Sequence, residues 1–224
     1  MTSEGKSRWS RGAPALVAAY VAAVLLVDTL VAMRVRTPID WRVFSWTTEG
    51  GFDLFKFVAW FVIPFLICLT TMDWGWIGVA RWKRSDTMLL AAIALLGMLA
   101  ILGIMFIPAL RDYYPSLSHR TWPEKWDSMM RALFWVASWL VGWEFLHRYF
   151  LVRPFSARWP RFGWLIVPVS EGAYHLQKHW AEMLLMVAFS VALTWWTVRR
   201  KNALLPFLAH LIIEVELIAF MVLV

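Results

Sequence analysis

The chain has 224 residues, of which 61% are hydrophobic and 17% aromatic, with a formal net charge of +7. Soluble domains are on average only about 45–50% apolar, so the excess, gathered in long runs, excludes an ordinary soluble protein and points to a polytopic membrane protein. The basic balance does not argue for a nucleic-acid partner, because its Lys and Arg fall in short loops between apolar runs, where they set topology and meet anionic headgroups of the lipid bilayer.

In chain order, residues 1–12 are polar and basic, with Lys6, Arg8 and Arg11. Ala13–Met33 reads as a first span carrying Asp28, too long for a signal peptide and without a small-residue cleavage site. A loop with Pro38 and Gly50-Gly51 follows. Leu54–Thr70 is a second span with Lys56 near its edge and Pro64 as a kink, and Cys68, the sole cysteine, is a core residue of it. After a Trp- and Arg-rich loop, Met88–Leu110 is a third span without a charge. Arg111–Arg131 is the longest polar connection, either an ordinary loop, an interfacial segment or a lid.

Ala132–Val152 is a fourth span and ends in WEFLHRYFLV, an apolar run interrupted by Glu144, His147 and Arg148. Phe162–Leu176 is a short fifth span with Pro168 and Glu171, Met183–Val198 a sixth, and Ala203–Val224 a seventh with His210, Glu214 and Glu216. The expected fold class is therefore all-α, a polytopic transmembrane helix bundle of about seven (six to eight) spans. It is one integral membrane domain over 1–224, with its polar motifs within 132–217. The 17 Trp, many near span ends, resemble interfacial belts. Alternate loops hold twelve Lys and Arg against eight, which places the amino terminus inside.

An ionised side chain inside a span costs roughly 2.5–3.5 kcal/mol on insertion scales. Three clusters bear that cost: Glu144/Arg148; Glu171, His175, Lys178, His179 and Glu182; and His210/Glu214. Glu144 and Arg148 are four apart, so a helix puts them on one face, where they neutralise each other. His175, Lys178, His179 and Glu182 recur as one continuous helical face. Glu216 points elsewhere. At 1.5 Å per residue Glu144 and His210 lie at a similar depth, ~10 Å from one face, and His175 at ~18 Å. Such clusters serve catalysis, ion or proton transport, or a buried structural network. One carboxylate with two imidazoles suits hydrolysis: the Glu draws a proton from water while the His residues orient it or stabilise an oxyanion. Two His and a Glu can also hold zinc, but no HExxH is present.

These clusters, in this order, resemble the CAAX-protease and bacteriocin-processing family of intramembrane endopeptidases. The family's first motif is Glu-Glu-x-x-x-Arg, its second Phe-x-x-x-His and its third His-x-x-x-Asn. Here Glu144–Arg148 matches the end of the first, His175 the second and His210 the third, in a Leu204-Leu205-Pro206-x-x-x-His210 context. Trp143 stands in place of the first Glu, Glu171 in place of the Phe and Glu214 in place of the Asn. A branch with Trp-Glu-Phe-x-x-Arg and His-x-x-Lys-Pro-x-x-Glu is closer, matching Trp143-Glu144-Phe145-x-x-Arg148 and His175-x-x-Lys178-His179-x-x-Glu182 apart from the Pro.

The resemblance implies a glutamate-type intramembrane endopeptidase with Glu144 as base, helped by Glu171. His175 and His210 position water and stabilise the oxyanion, Arg148 holds Glu144, and Glu214 orients His210. Lys178 and Glu182 form a structural or substrate-facing pair. The implied partner is the membrane-proximal tail of a protein or peptide, as for the myxosortases, in a bacterial cytoplasmic membrane and without a cofactor. The rivals are a non-proteolytic membrane scaffold or immunity member of the family and a proton-coupled transporter. The transporter would usually carry an internal repeat, which this chain lacks.

Overall fold

The computed structural model describes residues 12–34, 40–114 and 116–223. The basic residues Lys6, Arg8, Arg11 and Arg36, and Pro38, lie outside the described residues. Helix α1 is Ala13–Ala32, opened by Pro14 in its first turn. Helix α2 runs over Leu54–Thr71, starting at the Asp53 cap, where Asp53 accepts from Lys56 N–H, and passing through a π-helical stretch at Phe57–Val62. Helix α3 is Arg84–Phe106 and α4 is Pro108–Tyr113. Helix α5, Trp122–Phe145, runs on through a π-helical turn, Leu146–Leu151, into α6, Val152–Arg158. Then come α7 (Ile166–His175), α8 (Trp180–Arg200) and α9 (Leu204–Leu223). The all-α membrane architecture is as expected.

Among the described residues, five helices are long and apolar enough to cross a membrane: α1, α2, α3, α8 and α9. Two of the seven expected spans differ. The fourth belongs to the α5–α6 rod, which starts at Trp122 rather than Ala132. Thr121 and Glu124 form a capping box there, with Pro123 in the first turn, so the second half of the presumed polar connection is helix. The fifth is the 10-residue α7, about 15 Å long and half the hydrocarbon thickness.

The rod is the centre of the bundle. Val136, Leu140, Trp143, Leu146, Phe150 and Leu151 bury against Val17, Val21 and Leu25 of α1, Trp60 of α2, Val167 of α7 and Ile218 of α9. Helices in lipid gain little from the hydrophobic effect and associate through close packing and polar contacts. Gly142 shows this: a Cβ there would lie 2.8 Å from Trp60 Cβ and 3.1 Å from its carbonyl carbon. The backbones of α2 and α5 therefore meet one residue before Trp143-Glu144.

One end of the bundle is tied by Arg153, which donates to the Thr71 carbonyl and the Tyr149 hydroxyl and faces Asp73 at 3.7 Å. Ala203 N–H and Leu204 N–H donate to Trp76 and Ile77 carbonyls at the same end. The opposite end holds Tyr114, whose hydroxyl donates to Glu182 at 3.1 Å. Burial and that carboxylate push the Tyr114 hydroxyl well above the usual phenol range.

Candidate active site

The rod presents three successive polar groups to the core. Glu144 closes α5, and His147 and Arg148 lie on the π turn; all three are buried. A π turn displaces side chains relative to an unbroken α-helix and is frequent at functional positions. Trp76 supports this one by donating its indole N–H to the Arg148 carbonyl at 2.9 Å.

Arg148 has a principal partner other than the one the spacing suggests. Its Nη1 and Nη2 donate to Glu171 Oε1 and Oε2 of α7 at 2.5 and 3.2 Å, a two-pronged pair with both residues fully buried. Its Nε faces Glu144 Oε2 at 3.7 Å, beyond hydrogen-bond reach. Glu171 is thus committed to the guanidinium. The four-residue step from Glu171 to His175 is filled by a main-chain contact instead, His175 Nδ1 donating to the Glu171 carbonyl at 2.8 Å.

Glu144 finds its near partner on α9. His210 Nδ1 lies 2.8 Å from Glu144 Oε1, while Nε2 faces Glu214 Oε1 at 3.7 Å. The equal depth expected for Glu144 and His210 is realised as direct contact. Among the described residues, Glu144 Oε2 and Arg148 Nε are buried without a hydrogen-bond partner.

His175 reaches the same turn of the rod through Trp143. The two rings are edge to face with centroids 5.9 Å apart, and Trp143 also packs on His147, Tyr174 and Trp60. No described hydrogen bond or ion pair joins His175 to Glu144 or to His210. Because a carbonyl only accepts, His175 Nδ1 carries a hydrogen and Nε2 is the nitrogen left for chemistry. His147 is held likewise, Nδ1 donating to the Trp143 carbonyl at 3.0 Å and Nε2 lying 3.3 Å from Ser170 Oγ.

The continuous face expected over His175–Glu182 is broken. Helix α7 ends at His175 and α8 begins at Trp180, with His179 as its cap accepting from Ala181 N–H. Lys178 and Glu182 pair across this turn at 2.6 Å, and Glu182 also takes the Tyr114 hydroxyl. Glu216 sits apart, its carboxyl beside Gly97 of α3.

Sequence reasoning missed the tie between Asp28 and Lys56, which pair at 3.1 Å, and the Tyr174 hydroxyl that donates to Asp28. One acid and one base in successive spans were the available signal. Among the described residues, no group of three or more His, Cys, Asp or Glu is placed to hold a metal ion.

Fold and site together define the class: an all-α integral membrane protein with charged and imidazole side chains gathered inside its bundle. Residues 125–215 match the model of the Rce1-like family, described as type II CAAX prenyl endopeptidase Rce1-like. The match spans the rod, α7, α8 and the first half of α9, and omits α1–α4. No curated protein and no solved structure matches the chain.

Proposed function

We propose that the protein is a glutamate-dependent intramembrane endopeptidase that cleaves the membrane-proximal tail of a protein or peptide. The observation that carries this reading is the contact of Glu144 Oε1 with His210 at 2.8 Å while Oε2 is left unbonded in the core. A carboxylate fixed by one oxygen and free at the other is placed to act as a base.

In this mechanism a water gives a proton to Glu144 Oε2 as its oxygen attacks the scissile carbonyl. His175 Nε2, which carries no hydrogen in the neutral ring, accepts a hydrogen bond from the attacking water and orients it, while His210 holds Glu144 through Oε1. The proton on Glu144 then passes to the departing amine as the C–N bond breaks. The Arg148–Glu171 pair anchors α7 to the rod, so Glu171 supports the site rather than supplying a second base. Glu214 faces the far nitrogen of His210 at 3.7 Å. Protein ligands perform every step, so no cofactor is invoked. The basic loops at the Arg153 end face the cytoplasm, and the branch resemblance favours a bacterial cytoplasmic membrane.

Reconstituted protein incubated with candidate membrane-tail peptides tests the proposal by mass spectrometry of the products. Glu144→Gln abolishes cleavage and Glu171→Gln reduces it. Full cleavage by both variants sinks the proteolytic reading.

One feature favours a second reading, a non-proteolytic scaffold. Trp143, where the resembled family has an acid, is buried between Trp60, Tyr174, His147 and His175. A scaffold gives no product from any tail peptide.

A further inference from the structure

Asp28 is buried inside the helical bundle and Lys56 partly buried beside it, on helices that carry no motif and lie outside the family match. Each oxygen of the Asp28 carboxylate is used. Oδ1 pairs with Lys56 Nζ of α2 at 3.1 Å, and Oδ2 accepts from the Tyr174 hydroxyl of α7 at 2.5 Å. The ammonium is further held over the rings of Trp60 and Trp135, 4.9 and 5.5 Å from their centroids. One carboxylate therefore joins α1, α2 and α7.

What it fixes lies beside His175. The Tyr174 ring is 5.5 Å from His175 and 5.1 Å from Trp143, centroid to centroid, and Trp143 is in turn 5.9 Å edge to face from His175. Trp60 closes the set, edge to face with Tyr174 at 6.1 Å. His175 has one polar tether of its own, the Nδ1 bond to the Glu171 carbonyl. That bond leaves the ring free to swing about one contact, and the walls that stop it are Tyr174 and Trp143.

We propose that Asp28 is a positioning residue for His175, acting through the Tyr174 hydroxyl, with Lys56 as the counter-ion that keeps the carboxylate in the core. The proposal rests on the reading of His175 as a site residue and gives the unmatched amino-terminal helices a part in the site. The chemistry required of position 28 is a hydrogen-bond acceptor aimed at Tyr174. The charge is needed only because Lys56 is there.

Double variants separate acceptor from charge. Asp28→Asn with Lys56→Met removes both charges and keeps an acceptor. Asp28→Leu with Lys56→Met removes both charges and the acceptor, leaving no unpaired ion that would unfold the bundle. Tyr174→Phe removes only the hydroxyl. The readouts are nitrogen-15 spectra of the histidine rings in detergent micelles and cleavage rates with kcat and KM resolved.

The Leu/Met and Tyr174→Phe variants are expected to shift or broaden the His175 ring signals and leave those of His210 in place. Their kcat is expected to fall about tenfold to a hundredfold, the scale of a misplaced catalytic group, with KM little changed. The Asn/Met variant is expected to restore both signals and rate. Unmoved His175 signals in the Leu/Met variant overturn the proposal, as do equal losses in the Asn/Met and Leu/Met pairs. If the unaltered protein cleaves nothing, the proteolytic reading fails while the histidine spectra still decide the coupling.

Discussion

Glu144 and Glu171 are both buried acids near Arg148, yet their surroundings assign them different work. Glu171 uses both oxygens on the guanidinium; removing one partner of a buried pair typically costs about 3–5 kcal/mol. Glu171→Gln should therefore lower thermal stability in detergent, with activity falling alongside. Glu144 has one oxygen engaged and one free, so Glu144→Gln should keep the fold and lose cleavage by about 100- to 10,000-fold, the usual range for a general base. Parallel melting curves and initial rates distinguish the two. A Glu144→Gln protein that melts far below the parent would show that this residue, too, is structural. Trp143 separates His175 from direct contact with the glutamate, and its neighbours are aromatic on several sides.

Two elements set where these groups point. The first is the crossing at Gly142, where α2 and α5 touch backbone to backbone. Gly142→Val forces the Trp60 backbone away and should destabilise the bundle by about 1–3 kcal/mol, the usual cost of overpacking. Loss of activity is expected to exceed what that instability explains, because Glu144 follows two residues later. The second is the start of α5 outside the core. Glu124 accepts from the Thr121 N–H and hydroxyl, both at 2.8 Å, and these bonds hold its carboxyl below the usual range. A carboxyl depressed in the folded state stabilises the fold above its unfolded value, here about 4.5, and that support vanishes as pH falls through the folded value. The melting temperature of the parent should therefore drop below about pH 4.5 with a component that Glu124→Gln lacks. Identical acid profiles for the two proteins would remove the capping box from the account.

For the whole molecule, the segments carrying Arg153 and Arg200 meet the 71–86 segment at one end. Arg153 reaches Thr71 and Asp73, and the start of α9 bonds to the Trp76–Ile77 segment. The excess of Lys and Arg in those segments predicts that this end is cytoplasmic. Single cysteines placed at Arg158 and Lys83, with Cys68 replaced by Ala, should be labelled from the cytoplasmic side alone. A cysteine at Glu49 should be labelled from the other side. Reversed labelling would invert the topology without altering the site.

Much of this was determined by the chain's local pattern. Apolar runs of span length, four-residue spacing in Glu144–Arg148 and His210–Glu214, and the Leu-Leu-Pro lead into His210 are short-range features, so they are legible residue by residue. The all-α membrane fold and the polar residues worth attention followed from them. The start of α5 was legible too, in Thr121-x-x-Glu124 with Pro123, but a polar composition hid it. Which groups pair is different in kind. Helical spacing says that Arg148 can reach Glu144 and that Glu171 can reach His175, and both statements hold for an isolated helix. Packing α7 against the rod brought Glu171 to Arg148, and packing α9 brought His210 to Glu144, because a buried ion takes the nearest partner of best geometry from any helix. The same holds for Asp28, Lys56 and Tyr174, which lie on three helices and meet only in the bundle. Pairings between helices depend on crossing points such as Gly142, which no periodicity within one helix encodes.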